Sequence, residues 1–194
     1  MDLALDLPVG IEERRPVSEH AAGQGAEDAL LVEDVREGRP GAFERLYTRY
    51  ARMVHGILLA RVPRREAEDL VQDVFLTVHR RLHTLREPRA FGGWLAMIAR
   101  NRAMDHARRE PRHFDLPEDL VVAAGPDAEA AEALEAIRAL PEAYREPLIL
   151  RLVEGLTGPE ISQRTGLTPG SVRVNLHRGM ALLRQSLRGR RTHG

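Results

Sequence analysis

The chain contains no cysteine, so disulfides, thiolate metal sites and thiol-based redox sensing within it are excluded. It contains no lysine either; all 29 basic residues are arginine. Arginine suits forked contacts to phosphate or guanine, but coding bias gives the same composition, and the absence alone assigns no function. No uncharged apolar run approaches the ~20 residues of a membrane span. The opening residues, MDLALDLPVG, lack the basic region and long apolar core of a secretory signal. The expectation is a soluble, cytoplasmic protein with no membrane contact. Strand-like alternation, internal repeats, nucleophile elbows, phosphate loops and dinucleotide glycine fingerprints are all missing. What remains is helical: 194 residues, enough for one domain or two small ones.

The formal net charge of zero seems to argue against a nucleic-acid partner, but its distribution reverses that. Residues 1–40 carry net −6, 41–110 net +6, 111–145 net −5 and 146–194 net +5. Two basic blocks therefore alternate with acidic ones, a pattern that bulk charge hides.

Residues 1–26 hold Pro, Gly and scattered acids without a period, and are expected to form a disordered acidic arm. From there the apolar spacing turns helical. Asp28–Glu37 predicts a short helix stopped by Gly38. Phe43, Leu46, Tyr47, Tyr50, Val54, Ile57 and Leu58 predict a long one, ended by Pro63. Ala67, Leu70, Val71, Val74, Phe75, Val78 and Leu82 mark another, with Asp69, Gln72 and Asp73 on its opposite face. A polar turn, Thr84–Arg89, follows. Phe91, Leu95, Ile98 and Ala99 then open a helix that runs to Arg109 and is basic at its end. Trp94, at its start, is assigned to the core. Residues 111–126 carry three prolines and no period, and read as a flexible linker. Beyond it, Ala131, Leu134, Ile137 and Leu140 give a helix. Another follows Pro141, with Pro147 inside it predicting a kink or a lost first turn. The fold class expected is all-α: two small helical domains, 27–110 and 127–187, joined by that linker, with a fraying tail from Ser186.

The stretch Thr157–Arg184 is the most specific. Thr157 and Glu160 have capping-box spacing. Gly166 can take the left-handed conformation that ends a helix. Thr168 caps the next helix and Pro169 takes its first position, where a missing N–H costs nothing. Val172, Leu176 and Leu183 recur at helical spacing, leaving Arg173, Asn175, His177 and Arg178 outside. This is helix-turn-helix grammar, whose second helix can lie in a major groove; an ordinary helical hairpin shares part of it. His79 and His83 stand four apart on one helix, but no third ligand is evident, so no metal site and no cofactor are assigned.

The strings AEDLVQDVFLTVHRRL (67–82), FGGWLAMIARNRAMDHARR (91–109) and LPEAYREPLILRLVEGLT (140–157), in that order before the helix-turn-helix, carry a resemblance. Over roughly residues 27–187 the chain resembles a bacterial RNA polymerase sigma factor of the extracytoplasmic-function class. The resemblance implies that Asp69, Gln72 and Asp73 dock on a coiled coil of the core polymerase largest subunit, with the flap as a further contact. It implies that the Thr84–Gly93 loop captures a base flipped from the minus-10 strand. Arg86, Arg89, Arg100, Asn101, Arg102, Arg108 and Arg109 are then the minus-10 DNA contacts, while Asp105 pairs with a neighbouring arginine. Ser171, Arg173, Val174, Asn175, His177 and Arg178 fall on the minus-35 face. Asn175 and Met180 stand where relatives usually have arginine, and the 84–93 loop departs from the Ser-rich family version. Promoter DNA, core polymerase and an anti-sigma factor are the implied partners, and the chain is expected to be a non-catalytic initiation subunit. A stand-alone helix-turn-helix regulator is the alternative reading; it gives no use for the basic 91–109 helix.

Overall fold

The computed structural model describes residues 17–109 and 126–191, with side chains over 25–109 and 130–188. Among them are eight α-helices and two short 3-10 turns, and no strand. The helices are α1 (Val17–Arg36), α2 (Ala42–Leu59), α3 (Arg64–Arg81), α4 (Phe91–Arg109), α5 (Pro126–Arg138), α6 (Glu142–Leu152), α7 (Gly158–Thr165) and α8 (Pro169–Arg191). The all-α expectation holds, and most boundaries fall within two residues of the sequence reading. The linker lies outside the described residues apart from Pro126, which opens α5.

α1 to α4 form the first set. Leu46, Tyr50, Met53, Val54 and Ile57 of α2 are buried along one stripe. They meet Ala67, Leu70, Val71, Val74 and Val78 of α3, and Leu95, Ala96, Ala99 and Ala103 of α4. The small residues on α4 let its backbone come close. Aromatic edges fill the rim: Phe43 meets Phe75 edge-on at 6.3 Å, and Tyr50 meets Phe91 at 5.1 Å. Such pairs add to simple burial. Trp94 packs against this core, tilted 6.1 Å from Phe91.

Two expectations need correction, and a third is narrowed. α1 begins at Val17, so residues 17–26 are helical rather than a disordered arm. Ala21, Ala22, Gln24 and Ala26 favour the helix, which forms despite Gly23 and Gly25, and Gly25 comes to rest beside Arg89 of the loop before α4. At the other end, α8 continues to Arg191, and Leu187 packs on the core instead of fraying. Pro147 lies inside α6, whose first turn is present, so of the two outcomes expected there the lost turn does not occur. It forfeits one backbone bond, while Leu148, Ile149 and Leu150, all fully buried, hold the helix in place.

The two sets are not separate bodies. One continuous core runs from Val32 to Leu183. α6 packs on α2, and α7 packs on α4 and α2. The approach is close enough to demand glycine. A Cβ on Gly56 of α2 would stand 2.7 Å from Leu150 Cδ2, and one on Gly92 of α4 would stand 2.9 Å from the Arg164 carbonyl oxygen. Polar groups stitch the same junction. Arg138 donates to the Leu59 carbonyl at 3.1 Å and the Val62 carbonyl at 2.6 Å, and His55 meets Glu154 at 2.7 Å.

Candidate nucleic-acid interface

The helix-turn-helix is built by local chemistry. The Thr157 hydroxyl accepts from the Glu160 N–H at 3.4 Å, and the Glu160 carboxylate accepts from the Thr157 N–H at 2.8 Å, a complete capping box. Burial of the Glu160 carboxylate works against ionisation. The Thr157 hydrogen bonds and Arg164 outweigh it, so the group titrates below its ordinary range. Gly166 ends α7 at φ 74°, the left-handed conformation. The Ser162 hydroxyl donates to the Leu167 carbonyl at 2.7 Å across the turn, and the Thr168 hydroxyl caps α8 through the Ser171 N–H at 3.2 Å.

On α8, Val172 and Leu183 are buried and Leu176 packs behind them. Ser171, Arg173, Val174, His177 and Arg178 are exposed together on the opposite side, and Asn175 is half-buried at its edge. Val174 is 44% exposed, an apolar group left in water on an otherwise polar face. Arg173 and Arg178 have no ion-pair partner among the described residues. Met180 is half-buried against the core, which explains an apolar residue at that position.

The first set presents its candidates differently. Asp69 and Gln72 are exposed on α3, whereas Asp73 is ion-paired to Arg102 of α4. Residues assigned to polymerase docking and to minus-10 DNA therefore touch each other. Leu76, three residues after Asp73 on the same side of the helix, is 55% exposed. It was missed because Val74, Phe75 and Val78 account for the apolar period, yet an uncovered Leu beside acids suits a docking face.

The loop before α4 is anchored by Leu85, which is buried, and by Arg36, which donates to the Leu82 carbonyl at 3.2 Å and to the Leu85 carbonyl. Arg86 and Arg89 are exposed on it, and Glu87 accepts from the Arg89 N–H at 3.3 Å. Asn101, Arg108 and Arg109 are exposed along α4, and Asp105 pairs with Arg108 at 3.7 Å. Arg100 is not available in the same way: it forks onto Glu146 of α6 at 2.7 and 3.1 Å. Gly92 and Gly93, where the loop runs into α4, face α7, Gly92 against Arg164 and Gly93 against Gly166.

Another buried carboxylate, Asp28 of α1, accepts from the Tyr50 hydroxyl at 2.5 Å and lies 3.3 Å from Arg49 Nε. Burial pushes the Asp28 carboxyl above its ordinary range despite those partners, and burial with the Asp28 charge pushes the Tyr50 phenol up as well. No group of three metal-ligating side chains occurs among the described residues; His79 stacks edge-on to Phe43 at 5.1 Å. Nor is any described helix long and apolar enough to cross a membrane.

Residues 46–113 match the family model for sigma-70 region 2, and residues 130–183 match that for sigma-70 region 4. The chain is 36% identical over 167 residues to RNA polymerase sigma factor CarQ of Myxococcus xanthus, covering 80% of this chain and 95% of that one. It is 30% identical over 179 residues to the ECF RNA polymerase sigma-E factor of Haemophilus influenzae, covering 82% and 95%. Its fold is similar to CnrH, solved in complex with the cytosolic domain of CnrY, with TM-score 0.61, 23% identity and coverage of 84% and 97%. The chain belongs to the sigma-70 family, in the extracytoplasmic-function class of RNA polymerase sigma factors that direct promoter-specific transcription initiation.

Proposed function

We propose that residues 27–110 dock on core polymerase and hold the melted minus-10 strand, while residues 127–187 read the minus-35 duplex. The nucleotidyl transfer belongs to the polymerase; this chain, acting in the cytoplasm without a cofactor, contributes promoter choice and strand opening. Asp69, Gln72 and Asp73 are the polymerase-facing groups. Arg86, Arg89, Asn101, Arg108 and Arg109, with Arg100 and Arg102 once their ion pairs open, are the minus-10 groups. Ser171, Arg173, Val174, Asn175, His177 and Arg178 are the minus-35 groups. An anti-sigma factor, implied by class membership, covers one or both faces.

The observation that carries this reading is α8: a capped second helix of a helix-turn-helix whose arginines and Val174 stand free in solvent with no acid opposing them. An arginine can fork onto guanine and a valine can meet a thymine methyl. Reconstitution with core polymerase tests it. Run-off transcription from a genomic promoter library is expected only when chain and core are both present. Sequence-specific operator binding by the chain alone, with no polymerase-dependent initiation, would favour a stand-alone regulator instead.

A further inference from the structure

The loop between α3 and α4 closes mostly on itself. The Thr84 hydroxyl donates to the Arg81 carbonyl at 2.7 Å, the Leu85 N–H to the Leu82 carbonyl at 3.2 Å and the Ala90 N–H to the Glu87 carbonyl at 2.9 Å. Among the described residues, one side chain from another helix hydrogen-bonds to it, and that is Arg36 of α1. Its Nη2 donates to the Leu82 carbonyl at 3.2 Å and to the Leu85 carbonyl, while Nη1 is held by Glu33 at 2.8 Å. A planar guanidinium fixed on one side by a carboxylate can hold two carbonyls at a set spacing, as a flexible ammonium cannot. Leu82 and Leu85 are both buried, which pins the residues that carry those carbonyls.

Arg36 is itself firmly placed. It ends α1, and α1 is seated on α2 through Val32, which is fully buried, and through Asp28, which accepts from the Tyr50 hydroxyl at 2.5 Å. The Tyr50 ring also meets Phe91, the first residue of α4, at 5.1 Å. The loop is thus referenced to one residue of α2 at both ends: through α1 and Arg36 where it leaves α3, and through Phe91 where it enters α4. Between those ends, Gly25 of α1 lies against Arg89; a Cβ there would stand 3.8 Å from the Arg89 carbonyl oxygen. A cleft of about 500 Å³, lined by Val35, Arg36, His79, Leu82 and His83, leaves the loop room to shift once Arg36 lets go.

We propose that Arg36 is a positioning residue for minus-10 recognition: it sets the path of the 84–90 loop, and so decides which base the loop accepts, without touching DNA. The proposal rests on the initiation reading and adds to it a role for α1. Arg86, Glu87 and Arg89 are exposed on the loop between the Leu85 anchor and α4. Release of the Leu85 carbonyl frees the segment that carries them, and a drift of about 1 Å is enough to break a hydrogen bond to a base edge. Attraction to a phosphate falls more slowly with distance. Base preference therefore goes before affinity does.

The full chain is reconstituted with core polymerase and offered a promoter library randomised at each minus-10 position, and the transcripts are sequenced. A correct base in a specific site is worth roughly 5- to 150-fold over a wrong one. Arg36→Met keeps the apolar stem and removes the donors; it should cut the preference at the loop-read position about ten-fold, within that range, and leave minus-35 preference unchanged. In the chain without polymerase, the amides of residues 85–90 should exchange with deuterium about ten-fold faster, while those of α2 keep their rates. A residue that merely propped the fold would do the reverse, lowering output from all promoters alike and speeding exchange throughout the first set. Arg36→Lys keeps the charge but not the fork, and should lose the preference too. Should Arg36→Met fail to fold, Arg36→Lys decides alone.

A loosened loop with base preference intact would overturn the proposal, because loop path would then not set base choice. Unchanged exchange in residues 85–90 would overturn it as well, and so would an equal loss on every library member. The unaltered chain separates this proposal from the reading it rests on. If that chain does not initiate with core polymerase, the initiation reading falls and takes this one with it. If it initiates and Arg36→Met keeps its preference, this proposal falls alone.

Discussion

α8 and α4 are both basic helices offered to DNA, yet they stand in opposite states. The outer face of α8 meets only solvent, because its turn and caps are local and its apolar stripe is covered from the other side by α5, α6 and α7. α4 is covered along one side by α7, with Arg100 consumed by Glu146 and Arg102 by Asp73. A helix can carry the right residues for a ligand while tertiary packing decides whether they are free to use them. Local grammar predicts the first property and is silent on the second.

The comparison depends on the two sets sharing a core, so breaking that core gives the largest effect. Leu150 is fully buried, and its Cδ2 fills the space above Gly56. Leu150→Ala should cost about 2–5 kcal/mol through lost transfer energy and the cavity left behind. The chain's single tryptophan, Trp94, sits in the other set and makes the test selective. Trp94 fluorescence should melt at a lower temperature in the variant, together with total helicity. If the Trp94 midpoint stays put while part of the helicity melts separately, the sets are independent and α4 is only loosely covered.

The sequence made the helices, the capping box and the Gly166 turn readable because each depends on residues within a few positions of one another. Docking was not readable in that way, since periodicity reports that a side chain is buried but not what buries it. Two signals were nonetheless present. Residues 53–60, MVHGILLA, are apolar almost all round the helix, which is the pattern of an element covered on more than one side; Met53, Val54, Ile57, Leu58, Leu59 and Ala60 are indeed all buried. Glu146 and Glu154 bracket an apolar run on α6, and both are buried acids held by arginine or histidine from the first set. The candidate sites divide along the same line. Ser171, Arg173 and Arg178 lie where helical spacing puts them, whereas the partners of Arg100 and Asp73 come from distant helices and could not be assigned. The helical start of α1 at Val17 was obscured by composition: scattered acids and glycines look disordered until Asp28 is seen buried against Tyr50.

The open state of α8 can be probed next, with a smaller effect. Arg173→Ala should weaken binding to a minus-35 duplex by roughly 1–3 kcal/mol and relax preference at one base position. Titration against duplexes varied at each position checks it. An equal loss on every sequence would reduce Arg173 to a phosphate contact. No loss at all would mean that an exposed, unpaired arginine on this face is not sufficient for contact, and the contrast with α4 would lose its functional meaning.

The smallest effect concerns what keeps α7 in shape to serve both helices. Thr157→Ala removes the hydroxyl that caps the Glu160 N–H and should cost about 0.5–2 kcal/mol. The pH dependence identifies the mechanism. Burial opposes the Glu160 charge, but the Thr157 hydrogen bonds and Arg164 overcome it and hold the carboxyl below its ordinary 4.5. A lowered folded-state pKa stabilises the fold above the unfolded value, and that contribution disappears as pH falls through the folded value. The cost of Thr157→Ala should therefore be greatest near neutrality and shrink as pH drops below about 4.5, measured by urea denaturation at stepped pH. The capping box reaches the first set through Arg164, which pairs with Glu160 at 3.5 Å and donates to the Arg49 carbonyl at 3.3 Å. The Thr157 hydroxyl is not part of that link, so Arg100 should stay paired to Glu146 in this variant, and single-strand affinity should not rise. A rise would show that α7 is docked through its own first turn, and that the local grammar and the covering of α4 are one device rather than two.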